Sequence, residues 1–266
     1  MSISIEELVH PKKPDPLFAY IEKVQDGAPW GSVLDAGTGN QSLKWISGLN
    51  SESWAAITGD EGRKQNLLVK FDDKIRPCDR IICGNWSDPD LLAGEKFDVV
   101  IADYLLGALE GYSPYYQDCL FPRLKQHVGH RLYVVGLEPY ADSSPLPWGQ
   151  LIIDMARLRD AALLISGRRP YREYPLDWTV RNLEAAGFEV DQSWVFPIVY
   201  NDKFVDGQLK MCERFLHQIK DPTLAQNMKD AIARFRERMF ELYERDKNRV
   251  FGANYVACAR IPLNAS

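Results

Sequence analysis

The sequence predicts an α/β fold: a doubly wound, seven-stranded, mostly parallel sheet with a helical insertion before the last strand. Three observations carry that reading. Apolar runs of strand length alternate with helix-spaced patterns, a glycine pair follows directly on the first run, and 266 residues suffice for one large domain.

The first run, Ser32 to Asp35, enters the turn AGTGN. The next are Trp54 to Thr58, Arg80 to Cys83, Phe97 to Ala102 and Arg131 to Leu137. A sixth spans Phe188 to Val190 and continues toward Val195, and the last is Tyr255 to Ile261. Between them lie apolar residues at helical spacing, such as Leu120, Leu124 and Val128, or Val180, Leu183 and Ala186 ahead of Gly187.

Two stretches depart from the alternation. After the fifth run the Pro-rich segment ADSSPLPWG leads into an apolar helix, Leu151 to Leu164, and the basic turn GRRPYREYP. An excursion there lies over the carboxyl ends of the strands, where such sheets take ligands. Asn201 to Asn248 then reads as two helices broken at Asp221-Pro222, the second with Leu224, Met228, Ile232, Phe235, Met239 and Leu242 in a stripe. Core packing is the simplest use of that stripe; a dimer face or a substrate lid are the others. The chain is therefore expected to be a single domain over 1–266, with a cofactor half at about 15–137, a substrate cover at about 138–180 and a helical insertion at about 201–248.

Charge narrows the partners. A net charge of −5 and a pI near 5.5 provide no general attraction for nucleic acid or an anionic membrane. The opening MSISIEELVHPKKPDP has no apolar run and reads as neither signal peptide nor anchor. Cys78, Cys83, Cys119, Cys212 and Cys258 are scattered without a CxxC pair, which points to reduced thiols and a cytoplasmic location.

Chemistry enters at VLDAGTGNQSLKWI, Val33 to Ile46. Gly37 and Gly39 let a ligand approach the main chain, with Thr38 between them. A dinucleotide fingerprint wants a third glycine where Ser42 stands, and its pyrophosphate would meet Asp35 at the strand end. A carboxylate there suits a ligand bearing an ammonium group instead.

On these residues the segment resembles motif I of the class I S-adenosylmethionine-dependent methyltransferases, in which an acid closes the strand before a G-x-G turn. Further pieces follow in that family's order. Asp60 ends ITGD, 21 residues after Gly39, where the family holds both ribose hydroxyls with an acid. Asn85 and Trp86 in CGNW stand beside the family's adenine position, and FDVVIADY resembles the strand bordering the methyl group. Its end, Asp103, lies 18 residues beyond Asn85. The resemblance spans about Val33 to Phe188 and implies a Rossmann-like fold with S-adenosyl-L-methionine as cofactor, bound by Asp35, Gly37, Thr38, Gly39, Asp60, Asn85, Trp86 and Asp103. Read residue by residue, Asp60 also fits a helix N-cap, Asn85 fits a cap on the Ser87 turn, and Glu61 competes for the ribose.

Asp103, Tyr104 and Glu138 end strands and are the candidates for catalytic work. Tyr112, Tyr115, Tyr116 and Tyr140 are candidates to line an acceptor pocket, and Arg168, Arg169 or Arg172 to clamp a carboxylate. His127 and His130 lack an acidic partner at metal spacing, and neither G-x-S-x-G nor the (D/N)PP(Y/F) of N6-adenine methyltransferases occurs; ADYLL stands in that place. The expected function is methyl transfer to a small molecule, by a monomer or homodimer that requires no nucleic acid, membrane or metal. An NAD-dependent oxidoreductase using the same glycine turn and an inactive methyltransferase-like scaffold are the alternatives.

Overall fold

The computed structural model describes residues 15–262, which divide into two compact units. The larger comprises residues 15–138, 172–196 and 254–262; the smaller comprises 139–171 and 197–253.

The chain begins with α1 (Pro16–Gln25), started by Asp15, whose Oδ1 accepts the Leu17 N–H at 3.0 Å, and by a proline in the first turn. There follow β1 (Ser32–Asp35), α2 (Asn40–Ile46), β2 (Ser53–Thr58), α3 (Glu61–Lys70), β3 (Arg80–Cys83), β4 (Phe97–Asp103), the short α4 (Leu105–Ala108), α5 (Gln117–Lys125) and β5 (Val128–Leu137). Then come α6 (Pro147–Ile165), α7 (Leu176–Ala185), β6 (Glu189–Val199), α8 (Asp202–Phe215), α9 (Pro222–Arg245) and β7 (Val250–Arg260).

The seven strands run in the order β3-β2-β1-β4-β5-β7-β6. The pairs β1/β2, β1/β4, β2/β3 and β4/β5 are parallel, and β7 runs antiparallel to β5, with Arg131 opposite Arg260 and Leu137 opposite Asn254. An apolar run looks the same in either direction, so the reversal of β7 leaves no mark in the sequence. The chain winds outward from β1 one way and from β4 the other. The switch point, where ligands bind in open sheets, is thus the carboxyl edge between β1 and β4.

The parallel strands read as near-continuous apolar runs because both faces are covered. On one face Val33, Val99 and Ile101 pack with Ile21 of α1 and Leu43 and Ile46 of α2; on the other Leu34, Val100 and Leu132 pack with Leu120, Phe121 and Leu124 of α5. The smaller unit has its own core, in which Trp148, Ile152 and Met155 of α6 meet Leu209 of α8 and Met228, Ile232, Phe235 and Met239 of α9. The apolar stripe of α9 is therefore core for those four residues, while Leu224 remains exposed. The break between α8 and α9 falls at Asp221-Pro222, where Asp221 Oδ1 accepts from Thr223 and Leu224 at 2.8 and 3.1 Å. Among the described residues no helix is long and apolar enough to cross a membrane, and all five cysteines are free thiols.

Candidate functional site

The glycine turn is held from three sides. Thr38 N–H donates to Ile57 O at 2.7 Å, Ala36 N–H to Ile101 O at 2.8 Å, and the Trp86 indole donates to Ala36 O at 2.7 Å. Gly37 is small because Leu105 of α4 sits on it; a methyl group there would come within 3.0 Å of Leu105. Gly39 faces open space, with no atom within 4 Å of where a side chain would begin. Its N–H donates to Ser42 Oγ at 2.9 Å, so the serine in the fingerprint's third glycine position caps α2 and consumes a donor that a phosphate would use.

Asp35 is fully buried, and its partners are few. Gly37 N–H reaches Oδ1 at a long 3.4 Å, while Oδ2 has no hydrogen-bond partner. In the parallel register Asp35 pairs with Ile101, so Asp103, two residues further along β4, projects from the same face of the neighbouring strand. Asp103 Oδ1 is likewise sealed from solvent without a partner. Burial pushes Asp35 up to about 6 against the pull of the Ser42 and Thr38 hydroxyls, and pushes Asp103 up to about 8, with the charges of Asp35 and Asp15 adding to it. Two desolvated carboxylates at adjacent strand ends, each with an orphan oxygen, are costly unless a cation meets them. The tip of β4 is strained as well. Tyr104 is left-handed at φ 49°, and its N–H donates to Val135 O at 3.0 Å.

The remaining sequence candidates have definite local work. Asp60 caps α3 by accepting Arg63 N–H at 2.6 Å on Oδ1, one of the two uses open to it from sequence. Asn85 Oδ1 accepts from Ser87 N–H and Oγ–H at 3.0 and 2.9 Å and from the Ser113 hydroxyl, and its amide donates to Tyr112 O at 3.1 Å. It thereby ties the turn after β3 to the loop carrying Tyr112, whose ring lies over Gly59, where a methyl group would approach within 2.6 Å. Trp86 is buried in the core below the turn. Glu138 accepts Leu176 N–H at 2.9 Å and so caps α7, and Arg172 N–H donates to Gly107 O at 3.2 Å. Tyr115 is 71% exposed, Tyr116 packs on the core, and Tyr140 bonds Tyr200 within the smaller unit. Arg168 is stacked on Phe215, at 4.1 Å. His127 is buried between Arg123 and Glu95 O, and burial lowers its pKa. No group of three potential metal ligands forms among the described residues.

Asp15 was not singled out in the sequence as a site residue, yet its charge acts on Asp103. Its only sequence signal is that of a helix cap, an acid followed by proline, and Oδ1 does serve as that cap.

No family model and no curated protein matches the sequence. Solved structures do match at the level of fold. A candidate methyltransferase from Bacillus halodurans C-125 superposes with a TM-score of 0.56 at 16% identity over 91% of this chain and 98% of its own. Haemonchus contortus phosphoethanolamine N-methyltransferase 2, solved with phosphomonomethylethanolamine and S-adenosylhomocysteine, gives 0.52 at 11% identity over 93% and 52%. The [4+2]-cyclase SpnF gives 0.52 at 15% identity over 92% and 82%. The chain has the fold of the class I S-adenosylmethionine-dependent methyltransferases, Rossmann-like and mostly parallel.

Proposed function

We propose that this protein transfers a methyl group from S-adenosyl-L-methionine to a small-molecule acceptor in the cytoplasm. The observation that carries the reading is the pair of unpartnered, solvent-sealed carboxylate oxygens on Asp35 and Asp103 at the switch point of the sheet. They fit a positively charged ligand and reject a pyrophosphate, which disfavours the dinucleotide alternative, and the Gly39 N–H already spent on Ser42 adds to that. The bare, open face of Gly39 fits a ligand lying against the main chain.

When bound, the cofactor supplies a methyl group already activated by the sulfonium charge for direct displacement. The chain's task is to hold and align. Asp35 takes the ammonium group, its burial strengthening the attraction. Gly37, Thr38 and Gly39 form the floor of the site, kept in place by Trp86 and by the main-chain bonds to β2 and β4. Asp60 offers Oδ2, and the second lone pair of its capping oxygen, to the ribose hydroxyls. Asn85 acts by holding the Tyr112 loop beside the adenine end, since its oxygen already has three donors. Asp103 and Tyr104, at the strained tip of β4, border the reacting methyl. Asp103, protonated at neutral pH, ionises as the cation arrives and offsets one unit of its positive charge. Glu138 shapes the acceptor side through the start of α7. Acceptor choice is assigned to the parts of the 138–180 cover that belong to the larger unit, Glu138 and 172–180. Incubating the protein and cofactor with a metabolite extract should yield a mass feature gaining one methyl group. Cofactor binding without any such feature would leave a scaffold or a different chemistry, as the cyclase of this fold illustrates.

A further inference from the structure

A cavity of about 350 Å³ lies among residues of the larger unit that lead into β1 and β2, at the amino edge of the sheet and so opposite the Asp35 site. Glu22, Gln25, Gly27, Trp30, Leu49 and Asn50 line it. Its walls are the loops that leave α1 and α2, so two helix carboxyl ends with their partial negative charge adjoin it. Glu22 is the one ionisable side chain in the lining, and no basic residue is there to neutralise it.

The surround is braced by aromatic and hydrogen-bond contacts, with Glu22 itself exposed. Glu22 Oε1 accepts the Trp45 indole N–H at 2.7 Å, Trp45 stacks on Phe18 with ring centroids 4.4 Å apart, and Trp30 meets Trp45 edge-on at 5.8 Å. Gln25, 6% exposed, donates to Ala28 O and Pro29 O at 3.3 and 3.0 Å and accepts from the Tyr133 hydroxyl at 2.7 Å, which pins the loop between α1 and β1. Gly27, at φ +74° with nothing within 4 Å of its missing side chain, leaves its stretch of wall open.

We propose that this cavity binds a small organic cation, a primary or methylated ammonium, between the Glu22 carboxylate and the Trp30 ring. A carboxylate attracts the charge and an indole face accommodates the methyl or methylene groups around it. The volume suits a metabolite. A hard metal ion would need several oxygen ligands where the lining supplies one carboxylate.

The test is titration of the full chain with tetramethylammonium chloride, followed by saturation-transfer NMR on the methyl signal, with tert-butyl alcohol as the uncharged control. Saturable binding of the cation and none of the alcohol is expected. Glu22→Gln should weaken it at least tenfold, and Asn50→Lys, which supplies a cation of its own from an exposed position, should abolish it. Asp35→Ala should leave unchanged the component of binding that Glu22→Gln removes, which separates this cavity from the cofactor site, itself open to cations. Absence of saturation at tens of millimolar, equal binding by wild type and both cavity variants, or loss of that component in Asp35→Ala would overturn the proposal.

Discussion

At the carboxyl edge of the sheet Asp35 is sealed from water with Oδ2 unpartnered, whereas at the amino edge Glu22 is exposed and holds the Trp45 indole at 2.7 Å. The two acids sit in one unit and serve the same kind of ligand in the readings above. Their burial differs, and with it the energetics of charge. A desolvated carboxyl with few donors holds its proton to higher pH, Asp35 to about 6 and Asp103 past neutrality, so ligand binding beside Asp103 is coupled to ionisation. Binding beside a water-exposed acid takes a larger share of its strength from the aromatic wall.

The largest effect is expected from removing the buried charge. Asp35→Ala should lower S-adenosylhomocysteine affinity about 100-fold or more, in line with the loss of one partner from a desolvated charged contact. Calorimetry on wild type and variant measures it, and an unchanged affinity would break the contrast between the two edges. Asp103→Asn comes next and acts in two directions. Because the folded-state pKa of Asp103 is raised to about 8, the native protein holds its proton longer than the unfolded chain. Its cost to stability therefore grows as pH rises from the ordinary carboxylate range toward 8. The variant should melt higher than wild type at pH 8 and be more stable there by up to about 5 kcal/mol, with the gain vanishing near pH 4, while its cofactor affinity falls. Thermal melts across that range decide it. Gly39→Ala should have the smallest effect, about a tenfold loss of affinity at unchanged melting temperature, because the added methyl meets no protein atom and only a ligand would feel it. A drop in melting temperature would show that the glycine serves the fold.

Much of this organisation is legible in the sequence because it is local. Ser32–Asp35 and Arg80–Cys83 are strands with the limits their apolar runs suggest, and the helix break at Asp221-Pro222 is written in its cap and proline. Strands meeting other chemistry ran longer than their apolar stretches: β5 begins at Val128, three residues ahead of Arg131, and β6 continues to Val199 through Pro197. The candidate site is legible in the sequence where charge contradicts a familiar motif, as at Asp35, whose carboxylate the structure buries at the end of β1. It was not legible where the deciding partner is remote. Ser113 occupies the Asn85 oxygen from 28 residues away, and Asp15 acts on Asp103 from 88 residues upstream. The separate core of the smaller unit was hidden too, since an apolar stripe such as that of α9 states that it is covered and not by what.

The central claim is that a fully buried, ionised Asp35 and a protonated Asp103 beside it receive a cationic cofactor. It is tested most directly by calorimetric titration of S-adenosyl-L-methionine into wild-type protein near pH 7, in two buffers of different ionisation enthalpy, with NAD titrated in parallel. Binding of S-adenosyl-L-methionine with release of about one proton, and no binding of NAD, is the predicted result. Binding of NAD alone, or S-adenosyl-L-methionine binding with no proton released, would contradict it.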